Sequence, residues 1–140
     1  MIEWVKCTPE HIDAIPLDPN APETLDAIKA DLEFAATLLE DGMPIACAGV
    51  QRLYDGVGEA WSVWTPETIE RRGIAIARYA RGYLDRLQKE EGFRRIQAIC
   101  VPSIAFVEWL EAIGFEREGL LRNAMPGGDG DVWMCGRVVS

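Results

Sequence analysis

With 140 residues, of which 49% are apolar and 26% charged, the chain has the size and balance of one globular domain, residues 1–140. Its formal net charge of −9 argues against a nucleic-acid-binding surface, and no apolar run approaches the ~20 residues of a membrane helix. The N-terminus lacks a signal-peptide pattern, so we expect a cytoplasmic protein. Four cysteines without a C-x-x-C spacing and a single histidine argue against a metal site. Cys47 and Cys100, inside apolar runs, are expected to be buried reduced thiols.

The first third of the chain predicts a strand, two helices and a hairpin. Thr8-Pro9-Glu10 supplies the hydroxyl, the proline and the acid that typically open a helix. Helical periodicity could continue through Leu39, but Asp41-Gly42 is typical of a two-residue hairpin turn between apolar runs. We therefore predict a strand over Ile2–Cys7, a helix from Pro9, a helix over Pro22–Leu32, and strands over Phe34–Leu39 and Met43–Gln51.

The segment from Gly58 to Val101 predicts a strand–helix–strand unit. Aromatic and β-branched residues over Glu59–Trp64 favour a strand, and Thr65-Pro66-Glu67 repeats the helix-opening pattern. The helix should end near Gly92, before a second strand over Arg95–Val101. Because this helix is the one good crossover in the chain, the two strands are predicted to pair in parallel. The predicted apolar face of the helix comprises Ile76, Tyr79, Ala80, Tyr83, Leu84 and Leu87.

The C-terminal part predicts one more helix and two strands. Ser103 is the expected helix cap, and Gly114 fits the left-handed position that ends a helix, with Phe115 packing back on the last turn. The apolar face of this helix comprises Phe106, Trp109, Leu110 and Ile113. Strands are predicted over Glu118–Asn123 and Val132–Val139, on either side of a loop over Pro126–Gly130.

Two arginines and a glycine follow the first strand of the strand–helix–strand unit. We interpret Ile69–Ala75 as the turn that leads into the helix, where backbone N–H groups and the positive end of the helix dipole would be exposed. Gly73 would let a ligand approach the backbone, and Arg71 and Arg72 would add positive charge. The segment is a candidate pyrophosphate site, although a loop with two solvated arginines fits the same residues equally well.

The order of elements, this loop and the run SIAFVEWLEAIGFEREGLLRNA resemble the GNAT family of acyl-CoA N-acetyltransferases, above all small GNAT-like proteins of phages and prophages. A common ending of the family is matched by Gly114-Phe115, Glu118-Gly119, Arg122 and Gly130-Asp131. The resemblance implies an α/β (α+β) GNAT-like fold. Such a fold is a mixed, mostly antiparallel sheet with a central splayed parallel pair and helices on both faces.

The resemblance also implies which residues bind acetyl-CoA. The pantetheine arm would lie along the strand before the long helix, where Val63, Trp64 and Thr65 offer backbone groups. The family's phosphate loop starts with Gln or Arg, has Gly three positions later, and Gly or Ala two positions after that; here Glu70 takes the first position. The implied phosphate-binding residues are Arg71, Arg72, Gly73, Ile74 and Ala75, with Ser103 where the family often has an asparagine.

Acetyl transfer to an amine needs a base and, for the leaving thiolate, an acid. In the family a glutamate on the splayed strand often serves as the base, and Glu59 has a suitable spacing, although a solvated carboxylate at a strand end is an equally good interpretation. The usual acid is a tyrosine, but Leu110 stands at that position. Tyr79, Tyr83 or Cys100 could take its place, although each suits a core role better.

Three functions follow from the resemblance. The first is an acetyl-CoA-dependent N-acetyltransferase acting on a small-molecule or protein amine. The second is a catalytically weak or inactive GNAT-like phage structural or accessory protein that acts through protein contacts. The third is a domain that senses another CoA ester. Because family members commonly share their C-terminal strands between subunits, a homodimer is an expected partner.

Overall fold

Eleven elements follow one another in the computed structural model, which describes residues 1–16, 24–100, 104–125 and 129–139. They are β1 (Ile2–Lys6), α1 (Pro9–Ala14), α2 (Thr24–Lys29), β2 (Phe34–Glu40), β3 (Met43–Tyr54), β4 (Val57–Trp64), α3 (Pro66–Glu90), β5 (Arg95–Cys100), α4 (Ile104–Ala112), β6 (Glu116–Leu121) and β7 (Val132–Val138). Their order is the predicted one. The predicted cap Ser103, the strand end at Val101, the helix start at Pro22 and part of the Pro126–Gly130 loop lie outside the described residues.

The seven strands form one sheet in the order β1-β2-β3-β4-β5-β7-β6. β1 and β3 pair antiparallel with β2, and β7 pairs antiparallel with β5 and β6, whereas β4 and β5 are parallel. The predicted mixed, mostly antiparallel sheet with a central parallel pair is confirmed. The parallel ladder joins Val57 to Arg95, Gly58 to Ile96 and Glu59 to Gln97, although β4 continues to Trp64 and β5 to Cys100. The pairing between β4 and β5 therefore ends before either strand does.

Local signals in the first third of the chain work as predicted. Asp41 and Gly42 have φ angles of 51° and 82°, which a two-residue hairpin turn of this kind requires, so β2 is a strand and not an extension of α2. Thr8 caps α1: its hydroxyl accepts a hydrogen bond from the His11 N–H at 3.3 Å, and His11 Nδ1 accepts one from the Thr8 N–H at 3.2 Å. The only histidine in the chain therefore has a structural role in this cap.

Two compact units make up the chain: Met1–Gln51 with Ala60–Gly73, and Arg52–Glu59 with Ile74–Ser140. The first unit has a core cluster of Cys7, Ile12, Ile15, Ala35, Cys47 and Val63, against which Leu25, Ile28, Leu32 and Trp61 pack. The second unit buries apolar side chains from α3, β5, α4 and β7, among them Ile76, Leu84, Leu87, Ile96, Val107, Leu110, Ile113 and Val132. All four cysteines are free and buried, as predicted for Cys47 and Cys100. Within the described ranges, no helix is long and apolar enough to cross a membrane.

The long helix α3 begins at Pro66, directly after β4, and continues to Glu90. The interpretation of Ile69–Ala75 as a turn before the helix is therefore wrong, because these residues lie inside α3. Thr65-Pro66-Glu67 is already a complete helix start. Gly73 has no positive φ angle, and a glycine inside a helix costs only about 1 kcal/mol, which a 25-residue amphipathic helix tolerates.

The C-terminal end of α4 follows the glycine-capped pattern that the sequence predicts. Gly114 has a φ angle of 103°, its N–H donates to the Glu111 carbonyl at 3.1 Å, and the Phe115 N–H donates to the Leu110 carbonyl at 3.0 Å. These two bonds form a Schellman motif. Phe115 is buried, so the chain turns back into the core of the second unit on its way to β6.

Candidate functional site

Two threonines of the first unit hold the start of α3. The Thr65 carbonyl accepts hydrogen bonds from the N–H groups of Thr68 at 3.0 Å and Ile69 at 3.4 Å, and the Thr65 hydroxyl also receives the Thr68 N–H at 3.4 Å. The buried Thr68 hydroxyl donates to the Ile45 carbonyl of β3 at 3.2 Å. The N–H groups that an anion would use at this helix end are thus partly bound by the chain's own cap.

Arg71 and Arg72, predicted to bind phosphate, share one carboxylate of the first unit. Arg71 Nη1 donates to Glu40 Oε1 at 2.9 Å and to Oε2 at 3.3 Å, and Arg72 Nε donates to Oε2 at 3.1 Å. Arg71 Nε also lies 3.8 Å from a Glu67 oxygen. Hydrogen bonds from Arg71 and then Arg72 hold the pKa of Glu40 below its usual value. We call Glu40, Arg71 and Arg72 the Glu40 cluster; its two cations and one anion carry one net positive charge, which the neighbouring Glu67 carboxylate balances.

The remaining predicted phosphate residues follow on α3. A Cβ atom at Gly73 would meet only Ile69 Cγ2, at 3.9 Å, so packing within the protein does not require a glycine here. Ile74 and Ala75 belong to the second unit, where the Ile74 side chain is 75% exposed and Ala75 is half-buried. These residues lie on a helix surface and not in a loop, and their binding of phosphate stays a prediction.

The end of β4 combines core packing with one unusual polar atom. Val63 packs in the core cluster of the first unit, and Trp64 is half-buried. Their backbone contacts to a pantetheine arm stay a prediction. The Trp61 indole nitrogen is buried, and no described residue accepts a hydrogen bond from it. Buried donors are nearly always paired, so Trp61 is a candidate ligand contact that the sequence did not predict.

Glu59, in the second unit, is the last residue of β4 in the parallel ladder and lies opposite Gln97. Its side chain is half-buried, and burial raises the pKa of its carboxyl group. Among the described residues, no hydrogen bond or ion pair to this carboxylate is found. A carboxylate that holds its proton more strongly than usual, and that no cation neutralises, has the character of a general base.

Arg95, the cation closest in sequence to Gln97 on β5, is paired with Glu118 within the second unit. Arg95 Nε donates to Gln97 Oε1 at 3.0 Å, and its two terminal nitrogens donate to the Glu118 carboxylate at 2.9 and 2.6 Å. This two-pronged pair lowers the pKa of Glu118. The positive charge of Arg95 is thereby balanced by Glu118. The Glu59 carboxylate, in the β4–β5 ladder, has no cation paired with it among the described residues.

The described residues of the second unit offer no clear replacement for the family's usual acid. Leu110, at the position of the family's tyrosine, is 4% exposed and belongs to the core. Burial raises the pKa of Tyr83 to about 12, and its ring stacks on Tyr79 with centroids 5.8 Å apart. Cys100 is buried, with its sulfur 3.7 Å from that of Cys135. In the described ranges, no group of three or more His, Cys, Asp or Glu side chains is placed to bind a metal.

Comparisons with known proteins bear on the fold. No protein-family model matches the sequence, and no curated protein sequence matches it significantly. Ard1 from Thermoplasma volcanium superposes with a TM-score of 0.78 at 13% identity, over 99% of this chain and 98% of that chain. A GNAT-family acetyltransferase from Bacillus anthracis gives 0.73 at 16% identity, over 98% of this chain and 94% of that chain. The fold is that of the GNAT acetyltransferases. The ribosomal-protein-S18-alanine N-acetyltransferase from Escherichia coli, with 0.73 at 17% identity over 100% and 95% of the two chains, has the same GNAT fold.

Glu40 is a further residue of the candidate site that the sequence did not predict. It lies 31 residues before Arg71 and has the appearance of an ordinary strand end before a hairpin. The bond from Thr68 to Ile45 holds the start of α3 to β3, which pairs with β2, the strand that ends at Glu40. No signal in the sequence connected Glu40 with these arginines.

Proposed function

We propose that the protein is an acetyl-CoA-dependent N-acetyltransferase that transfers an acetyl group to a primary amine by direct attack in a ternary complex. The observation that carries the proposal is Glu59, a half-buried carboxylate with a raised pKa and no described partner, at the end of the parallel ladder. The GNAT fold supports it, and the resemblance of the sequence to that family implies that Glu59 lies on the strand where members often carry their base. Acetyl-CoA supplies an activated acetyl thioester when bound.

Glu59 would act as the general base. An amine reaches the protein mostly as an ammonium ion, which cannot attack until it loses a proton. Glu59 accepts that proton, directly or through one water molecule, and the burial that raises its pKa brings it closer to neutral pH, where proton transfer is most effective. With Leu110 at the position of the usual acid, the thiolate leaves without a dedicated proton donor from that helix.

Arg71 and Arg72 would hold the phosphates of CoA. The chemistry fits, because guanidinium groups suit phosphate oxygens and each of these two arginines has more N–H groups than it uses on Glu40. The side chains are accessible, with 45% of Arg71 and 36% of Arg72 exposed. Gly73 leaves space beside the same turn of α3, since a Cβ there would meet no atom closer than 3.9 Å.

An acetyl-transfer assay with defined acceptors tests the proposal. The excess of acidic residues favours a cationic acceptor, so the panel comprises spermidine, a lysine-containing peptide and a peptide that begins with alanine. CoA formation is followed by chromatography. We expect acceptor-dependent CoA formation, and we expect Glu59→Gln to lower kcat/KM by about 10²–10⁴-fold with little change in acetyl-CoA affinity. Transfer by Glu59→Gln at the wild-type rate would remove Glu59 from the role of base.

A second candidate function is a non-catalytic GNAT-like module, of the phage structural or accessory type, that acts through protein contacts. The buried Leu110, the capped start of α3 and the carboxylate already bound to both arginines favour it. Arg72→Ala and Gly73→Glu separate the two functions. If the wild type binds CoA and both variants lose it, the enzyme proposal gains; if none of the three binds at about millimolar CoA, the non-catalytic module is the better account.

A further inference from the structure

Glu40 occupies the place that an anionic ligand would take on the arginines of α3. Arg71 Nη1 donates to both oxygens of the Glu40 carboxylate, at 2.9 and 3.3 Å, and Arg72 Nε donates to Oε2 at 3.1 Å. Its side chain is only 20% exposed, whereas the two arginines are 45% and 36% exposed. The Glu40 side chain is therefore less accessible to solvent than either arginine side chain.

A carboxylate and a phosphate group use the same donors. Both accept paired N–H bonds from a guanidinium, so a donor bound to Glu40 is not available to a phosphate oxygen in the same geometry. The charge of Glu40 also halves the positive charge that the two arginines offer, and it repels a ligand phosphate at short range. Glu40 thus lowers anion affinity both by occupying donors and by its charge.

We propose that Glu40 is a built-in competitor, a carboxylate of the chain itself that a phosphate-bearing ligand must displace from Arg71 and Arg72. Singly charged anions such as acetate cannot offset the loss of the Glu40 contacts, whereas a ligand with several phosphate charges can. Glu40 is therefore a specificity-determining residue that restricts the site to polyphosphate ligands. The inference rests on the proposed binding of CoA through these arginines.

Glu40→Gln tests this, with Glu67→Gln as the matched control. Both variants remove one negative charge near Arg71, but Glu67 lies 3.8 Å from Arg71 Nε and is 78% exposed, so it competes for no donor. Binding of CoA, inorganic pyrophosphate and acetate is measured by calorimetry, and melting temperature is recorded alongside. We expect Glu40→Gln to bind CoA and pyrophosphate about tenfold more tightly, equivalent to ~1.4 kcal/mol, and Glu67→Gln to change affinity less than about twofold.

The contrary result is equally specific. If Glu40→Gln melts at a lower temperature and binds CoA and pyrophosphate no better than the wild type, Glu40 is only a structural tie between β2 and α3. If Glu40→Gln does not fold, Glu40→Asp, which keeps the charge and withdraws the carboxylate by one methylene, should still bind pyrophosphate more tightly; unchanged affinity in that variant overturns the proposal.

Pyrophosphate separates this inference from the proposed function. If Glu40→Gln gains affinity for pyrophosphate while neither it nor the wild type binds CoA, the competitor role stands and the transferase proposal fails. If the wild type binds CoA and Glu40→Gln shows no gain with either ligand, the competitor role fails alone. Replacing Arg71 by Ala in the Glu40→Gln background should abolish the gain, and a gain that survives would also overturn the proposal.

Discussion

The two glycines inside α3 provide a sharp test of where this helix begins. A Cβ at Gly73 would meet only one carbon atom, at 3.9 Å, and a Cβ at Gly82 would meet nothing within 4 Å. Alanine at either position should therefore stabilise the protein by about 0.5–1 kcal/mol, because glycine loses more backbone freedom on folding. With an unfolding entropy of about 2.1 cal/mol/K per residue over 140 residues, the melting temperature should rise by about 2–3 °C.

Scanning calorimetry of Gly73→Ala and Gly82→Ala measures this effect, and titration with CoA adds a second readout. Both variants should melt above the wild type by similar amounts. Only Gly73→Ala should bind CoA more weakly, since its methyl group would stand where the proposed phosphate site approaches the backbone. A lower melting temperature for Gly73→Ala together with a higher one for Gly82→Ala would refute the reasoning, because residue 73 would then not be an unstrained helical position.

Four further substitutions test the site and the core of the second unit. Glu59→Gln should stabilise the protein near pH 8 but not near pH 4. The pKa of the Glu59 carboxyl group is raised in the folded protein, so the wild type loses stability as pH rises through that pKa, and the variant does not. An equal gain in stability at both pH values, measured by urea unfolding, would contradict this. Arg137→Met should lower the free energy of unfolding by about 2–4 kcal/mol, because the Arg137 side chain is only 11% exposed and its guanidinium is bonded to a carbonyl, an amide and a carboxylate. The Arg117 side chain is half-exposed, so Arg117→Met should lower that free energy by less than about 1 kcal/mol. Similar losses in chemical denaturation for the two arginine variants would argue against this difference. Gly114→Ala should lower the free energy of unfolding by at least about 1–2 kcal/mol, because the φ angle of Gly114 is 103° and a Cβ there would lie 2.7 Å from Arg137 Nε. A melting temperature equal to that of the wild type would count against the Schellman motif at the end of α4.

Elements whose ends carry strong local signals were predictable from the sequence. Asp41-Gly42 defines a hairpin because few residue pairs accept two positive φ angles in succession. Thr8-Pro9 and Gly114 mark helix ends through hydrogen bonds that span only a few residues. The parallel pairing of β4 with β5 followed from one long crossover helix. In each case the decisive interaction is local or set by connectivity, so the chain order of the elements was right.

The candidate site was harder to predict, because its key interactions are not local. The glycine and the two arginines of Ile69–Ala75 suggest a turn, although Thr65-Pro66-Glu67 already predicts a helix start before it, and the segment lies inside α3. Glu40 meets Arg71 across 31 residues, through tertiary packing that periodicity does not encode. Likewise, only the atoms around Trp61 show that its indole nitrogen has no hydrogen-bond acceptor among the described residues. Local signals predicted elements, and only the three-dimensional structure revealed which charges are already paired.

Calorimetric titration of the wild-type protein with acetyl-CoA tests the central claim most directly. A GNAT-type acetyltransferase that uses Arg71 and Arg72 for the phosphates should bind about one acetyl-CoA per chain, with a dissociation constant below about 1 mM. Arg72→Ala should weaken that binding, since one of the two proposed phosphate contacts is removed. An absence of binding heat at about millimolar acetyl-CoA, confirmed by an unchanged melting temperature, would contradict the account and leave the GNAT fold without its acyl-CoA function.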